Sequence, residues 1–165
     1  MQAQQDATTE RADCEAPPRV VLDTNTVLDW LVFADGPCLG VANGIISYRM
    51  AWHATPSMRD ELAHVLPRPA LARWRPDVQR VLACFDEHVT LVHMPERAAA
   101  SPPGLPAPSL ACKDPDDQKF IDLAIAIGAR WLFTRDRALL DLARGARRAG
   151  VCVMRPADWI DQSRV

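Results

Sequence analysis

The residues best equipped for chemistry are acidic, and they stand where elements begin and end. Asp23 closes the apolar run Val20-Val21-Leu22, and Asp136 follows Trp131-Leu132-Phe133 after two polar residues. Glu61 lies inside a helical segment opened by Thr55-Pro56-Ser57, and Asp114, Asp116 and Asp117 open another. Four such carboxylates on one rim would repel one another strongly without a counter-charge. The only lysines are Lys113 and Lys119, and neither is expected in the site. A divalent ion is then the natural neutraliser, and oxygen-only ligands select hard cations such as Mg²⁺ or Mn²⁺. On acidic clusters those ions activate water and stabilise the leaving oxygen in phosphodiester hydrolysis.

The elements that must hold these acids follow from the apolar pattern. Short continuous apolar runs at Val20–Leu22, Tyr48–His53, Val89–Met94, Trp131–Phe133 and Val151–Met154 predict five strands buried on both faces. Helical spacing lies between them: from Thr26 to near Gly36, over Leu39–Ile46, from Thr55 to Leu66, over Arg73–Phe85, from Asp114 to Gly128, and through Leu139–Leu142. A closing helical turn is expected at Pro156–Ile160. Alternating strands and helices predict an α/β fold, a three-layer α/β/α sandwich around a parallel five-stranded sheet. Ligands of such sheets bind outside the carboxyl ends of the strands. Asp23 and Asp136 end strands there, and the helix leading into Trp131 must begin there, which brings Asp117, or Asp114 or Asp116, alongside. Glu61, early in a helix that follows a strand, lies close to the same edge. Thr24 or Asn25 is free to cap the first helix.

The chain of 165 residues suits one domain, 19–165, after a polar lead-in over 1–18 that is expected to be disordered. Residues 95–113 are rich in proline, and Pro95–Ala111 is expected to form a mobile surface segment. No apolar run reaches the roughly 20 residues that span a bilayer, and no signal pattern opens the chain, so a cytoplasmic protein without a membrane partner is expected. A net charge of −2 argues against a non-specific nucleic-acid binder but not against a nuclease. The late arginines read as a solvated helix face. Five scattered cysteines predict free thiols, with Cys84 and Cys152 as small core residues. The four histidines face no candidate nucleophile.

The strand end LDTN, the segment SMRDELAHVLPRP, the helix DPDDQKFIDLAIAIGA and the strand-turn LFTRDRALL together resemble the PIN domain. More narrowly they resemble its toxin–antitoxin (VapC-like) nuclease branch, over roughly residues 19–158. That resemblance implies metal-dependent cleavage of single-stranded or structured RNA, with Mg²⁺ or Mn²⁺ held by Asp23, Glu61, Asp117 and Asp136. Asp114 and Asp116 are close enough to share the role of Asp117. It also implies that Asn25 and Thr134 orient the first acid or a water, and that an antitoxin protein and a homodimer are the partners to look for. Asp122, one turn beyond Asp117, reads as a surface residue. Two alternatives compete: a catalytically degenerate PIN scaffold that only binds a partner, and a phosphatase of the haloacid-dehalogenase type. The latter needs Asp-x-Asp-x-Thr, where this chain has Asn25 and Val27, and a downstream lysine for which no candidate stands out.

Overall fold

The computed structural model describes residues 16–94 and 110–159. The lead-in through residue 15 and residues 95–109 of the Pro-rich stretch lie outside the described residues. Five parallel strands, β1 (Arg19–Leu22), β2 (Ala51–Ala54), β3 (Val89–Leu91), β4 (Trp131–Phe133) and β5 (Cys152–Met154), form one sheet in the order β3-β2-β1-β4-β5. With helices packed against it, this is the expected α/β/α sandwich. Val20 and Val21 of the central strand are fully buried, so β1 has no solvent face and reads as an unbroken apolar run. Each such side chain contributes roughly 1.5–3 kcal/mol by leaving water.

The strand order positions the site. From β1 the chain moves outward to β2 and β3, then returns past β1 to pair β4 with its other side. The direction of winding therefore reverses between β1 and β4, and the carboxyl ends at such a switch are where sheets of this kind hold their ligands. Asp23 and Thr134 are the next residues after those two strands.

The helices are α1 (Thr24–Leu31), α2 (Gly36–Ile46), α3 (Pro56–Val65), α4 (Val78–His88), α5 (Gln118–Ala126), α6 (Arg137–Leu140) and α7 (Ala143–Arg148). Several boundaries differ from the sequence expectation, each for a local reason. Neither Thr24 nor Asn25 caps α1; Asp23 does, its Oδ1 accepting from the Thr26 N–H at 2.6 Å. The helix expected over Arg73–Phe85 is split into a 3₁₀ turn, Pro69–Trp74, and α4. Pro76 disfavours helical backbone at Arg75, which is left-handed at φ 48°, and Asp77 caps the new start. β2 begins only at Ala51, after a turn with Tyr48 at φ 57°. Arg144, Arg147 and Arg148 are exposed, as a solvated helix face requires.

Helix α5 also starts later than expected. Asp114, Asp116 and Asp117 form a turn ahead of it, in which the Asp116 N–H donates to Asp114 Oδ1 at 2.9 Å and the Asp117 N–H to the Asp114 carbonyl at 2.9 Å. The Gln118 side chain ties the preceding segment to the helix. Its Nε2 donates to the Leu110 carbonyl (2.8 Å) and to Asp122 (2.8 Å), and its Oε1 accepts from the Cys112 N–H (2.6 Å). Asp122 is thus part of a hydrogen-bonded hub, which corrects its reading as a plain surface residue. At the far end Gly128 takes φ +61°, and the Ala129 N–H closes on the Ala124 carbonyl at 2.8 Å. A methyl group at Gly128 would touch nothing, so Gly128→Ala isolates the backbone cost of a left-handed L-residue, roughly 1–2 kcal/mol. The expected result is a fall of several degrees in melting temperature, and an unchanged melt would refute the cap assignment.

Candidate active site

Asp23 is only 2% exposed although it carries the carboxylate at the centre of the rim. Its N–H donates to the Phe133 carbonyl at 3.1 Å, pinning the end of β1 to the end of β4. Its Oδ2 accepts from the Thr134 hydroxyl. Burial pushes the Asp23 carboxyl above its ordinary range, opposed by hydrogen bonds from Thr134, Thr26 and the Arg135 backbone. The Thr134 hydroxyl, fully buried, also accepts from the Asp136 N–H at 2.9 Å. One hydroxyl thereby fixes the first acid and the turn that carries the last. Asp136 caps α6, its Oδ1 accepting from the Ala138 N–H at 2.6 Å.

Asp117 stands at the N-terminus of α5 without a capping bond from its side chain. Its carboxyl is pushed up to about 6, first by burial and then by the charges of Asp136, Asp114 and Asp23, with Lys119 pulling it down. Those charges place Asp117 on a shared rim, where it responds to Asp136, Asp114 and Asp23. Asp116 is exposed and meets Lys119 through its backbone carbonyl only. Asn25 is exposed in the first turn of α1, while its neighbour Thr24 does the work at that point. The Thr24 hydroxyl donates to Glu61 Oε1 at 2.7 Å, a contact that sequence reading missed.

A second correction is larger. Lys119 is in the site: its Nζ lies 2.5 Å from Glu61 Oε2. Because α5 starts after Asp117, the second residue of the helix still stands at the rim, and a long side chain reaches α3 from there. Glu61 is therefore already paired with a lysine, which acts on Asp117 at longer range, whereas among the described residues no ion pair is formed by Asp23, Asp117 or Asp136. Lys119 pairs with Glu61 and not with Asp23, so it does not supply the counter-charge that a phosphatase reading needs on the strand-end acid.

Among the described residues, the three potential ligands whose donor atoms come within 4.8 Å of one another are elsewhere: Asp29, Asp35 and Cys38. Arg135 already occupies that group, 2.8 Å from Asp29 and 3.6 Å from Asp35. Cys38 is buried and pushed up to about 12, chiefly by desolvation, so it stays a neutral thiol. Two carboxylates, one guanidinium and a protonated thiol form a poor cation site. Cys84 and Cys152 are only half-buried, and Cys38 takes the core position expected of them. His88 lies 3.9 Å from Cys84 Sγ, but burial raises that thiol, so the pair is no activated nucleophile.

The predicted acids offer oxygen donors only, the donor set of a hard divalent cation, although among the described residues their ligand atoms do not lie within 4.8 Å of one another. What ties them together is Asp117, whose carboxyl is pushed upward by burial first and then by the charges of Asp136, Asp114 and Asp23. This has a measurable sign. A carboxyl raised in the folded state binds more protons there than in the unfolded chain, so its contribution to stability falls as pH rises from the ordinary 3.8 to about 6. Metal-free protein should lose stability across that window, and Asp117→Asn should flatten the loss. Equal pH slopes for the two would show that the raised carboxyl is not Asp117.

The PIN domain family model matches residues 19–138. The chain belongs to the PIN domain family. No curated protein matches it in sequence. The match runs from β1 into α6 and so includes Asp23, Glu61, Asp117, Thr134 and Asp136. A PIN domain places the chain in a nuclease superfamily, with nucleic acid as the class of substrate. None of its described helices is long and apolar enough to cross a membrane.

Proposed function

We propose that this PIN domain is a metal-dependent ribonuclease, an endonuclease that hydrolyses RNA phosphodiester bonds at the carboxyl ends of β1 and β4. The observation that carries the reading is the PIN family match spanning Asp23, Glu61, Asp117 and Asp136, together with the Asp117 carboxyl, raised by burial first and then by Asp136, Asp114 and Asp23. Mutual repulsion of that kind on a PIN rim is what a bound cation would relieve. Asp23, Asp117 and Asp136 would hold Mg²⁺ or Mn²⁺, with Glu61 at the side of the cluster. When bound, such an ion supplies an activated water and offsets charge on the phosphate.

The chain's own residues do the rest. Thr134 holds Asp23 in one orientation through Oδ2, while the Thr26 N–H holds Oδ1, so the first acid cannot swing away. The same hydroxyl fixes the Asp136 backbone, keeping the two strand-end acids in register. Burial of Asp23 and Thr134 keeps bulk water off the floor of the site. The attacking group is water, so no protein nucleophile is required. The reading is tested with a labelled single-stranded RNA: cleavage must need Mg²⁺ or Mn²⁺ and must disappear in Asp23→Asn. An intact RNA under all conditions would instead favour a scaffold that has kept its acids but not its activity. In the cell, the resemblance to the toxin branch supports a cytoplasmic toxin of a toxin–antitoxin pair. A neighbouring reading frame for a small DNA-binding antitoxin would establish that role.

A further inference from the structure

Glu61 and Lys119 do not behave as part of the uncompensated cluster. Both carboxylate oxygens of Glu61 are engaged, Oε1 by the Thr24 hydroxyl at 2.7 Å and Oε2 by Lys119 Nζ at 2.5 Å. These contacts leave lone pairs free, as at Asp23, but the partner of Oε2 is itself a cation, and it would repel a metal ion brought to that oxygen. Lys119 in turn has three N–H donors. One faces Glu61 and one the Asp116 carbonyl, while the ammonium lies 4.9 Å from the centroid of the Phe120 ring. The side chain remains 26% exposed, so its third donor can still meet a partner arriving from solvent. The ammonium is also close enough to Asp117 to lower that carboxyl. A cation held on two sides, partly open, beside an acidic cluster is suited to an incoming anion.

We propose that Lys119 is an RNA-phosphate contact, and that Glu61, braced by Thr24, is the positioning residue that aims it. Glu61 then lies outside the cation's ligand set. The proposal rests on the nuclease reading above, and it adds which group receives the substrate backbone.

The test measures RNA binding in an Asp23→Asn background with Mn²⁺ present, by anisotropy of a fluorescein-labelled single-stranded RNA over a salt series. If that background binds no RNA, the nuclease reading fails before Lys119 is at issue. If it binds, adding Lys119→Met should weaken binding about tenfold or more, the loss of one charge-assisted hydrogen bond. The slope of log affinity against log salt should shrink by about 0.7, one single-strand phosphate contact. Lys119→Arg should restore the slope. Glu61→Gln should weaken binding while keeping the slope, because the charge is still present but no longer aimed. In wild type, Lys119→Met removes a cation that acts on Asp117, so the Mn²⁺ concentration that half-saturates the melting shift should change by less than about tenfold, as a residue outside the ion's shell requires. Unchanged RNA affinity and slope in Lys119→Met would overturn the proposal. So would Mn²⁺ binding tightened tenfold or more, which would make Lys119 a stand-in for the metal. Should Lys119→Met fail to fold, Glu61→Gln decides, and an unaltered RNA affinity there is equally fatal.

Discussion

Asp136→Asn and Asp117→Asn should each lower RNA cleavage by about 10²–10³-fold or more while leaving the fold intact. The size is that of losing a preorganised electrostatic contact to the developing charge. The intact fold follows from what each carboxylate does structurally. Asp136 caps α6 through one oxygen, and Asn caps as well as Asp. Asp117 makes no capping bond at all, so its charge is the only thing removed. Asp23→Asn should behave alike: its Oδ1 can accept from the Thr26 N–H, its amide can donate to the Thr134 oxygen in place of the bond the carboxylate accepted, and a buried charge is gone. Metal-free Asp23→Asn should accordingly be at least as stable as wild type. Far-UV circular dichroism and a thermal melt establish the fold, and cleavage of a labelled RNA gives the rate. Wild-type rates in Asp136→Asn would remove that turn from the site.

Much of this arrangement is legible in the sequence because a buried parallel strand has a simple signature. Val20-Val21-Leu22 and Trp131-Leu132-Phe133 are short apolar runs stopped by polar turns, and no solvent face dilutes the pattern. Once the strands are fixed, chain direction alone puts Asp23, Asp117 and Asp136 at one edge. Side-chain reach is not encoded in that way. Lys119 sits two positions from Asp117, and nothing in its spacing says that it crosses to α3 to meet Glu61. Thr24 is equally silent: as the first residue after an N-cap it looks like a capping candidate, yet its hydroxyl is spent on Glu61.

Helix starts depart from the sequence pattern where a turn residue imitates a helix former. Asp114-Pro115-Asp116-Asp117 has the acid-rich look of a first helical turn. Its backbone instead closes an Asp114-centred turn, and the helix waits until Gln118. At Arg75-Pro76 the apolar spacing continues through a proline that breaks the backbone. Asn25 carries no signal of its own; the family pattern points to it, and the structure exposes it on α1.

Millimolar Mn²⁺ should raise the melting temperature of the wild-type protein by about 5–10 °C. At about 100 times its dissociation constant, an ion that binds only the folded state adds about 2.7 kcal/mol. For a chain of 165 residues each kcal/mol is worth about 2–4 °C. The rise should be largest well above pH 6, where Asp117, pushed up to about 6, is ionised and able to ligate. Asp23→Asn and Asp117→Asn should blunt it. Glu87→Gln, an exposed change on α4, should leave it intact. Asp122→Asn is a poor control, because it would disturb the Gln118 hub. Equal shifts in wild type and Asp117→Asn would put the ion elsewhere, with Asp29 and Asp35 the next carboxylates to test.

The chemistry of the cut ends tests the central claim most directly. A water nucleophile held at an acidic cluster hydrolyses the phosphodiester to a linear phosphate and a hydroxyl, and has no use for the ribose 2′-hydroxyl. Single-stranded RNA is incubated with chelated protein, Mn²⁺ is restored, and the fragments are resolved by mass spectrometry. The account predicts fragments only after Mn²⁺ is restored, each with a linear phosphate or a hydroxyl end, and none from Asp23→Asn. Fragments that form in chelator, or that carry a 2′,3′-cyclic phosphate, would contradict it.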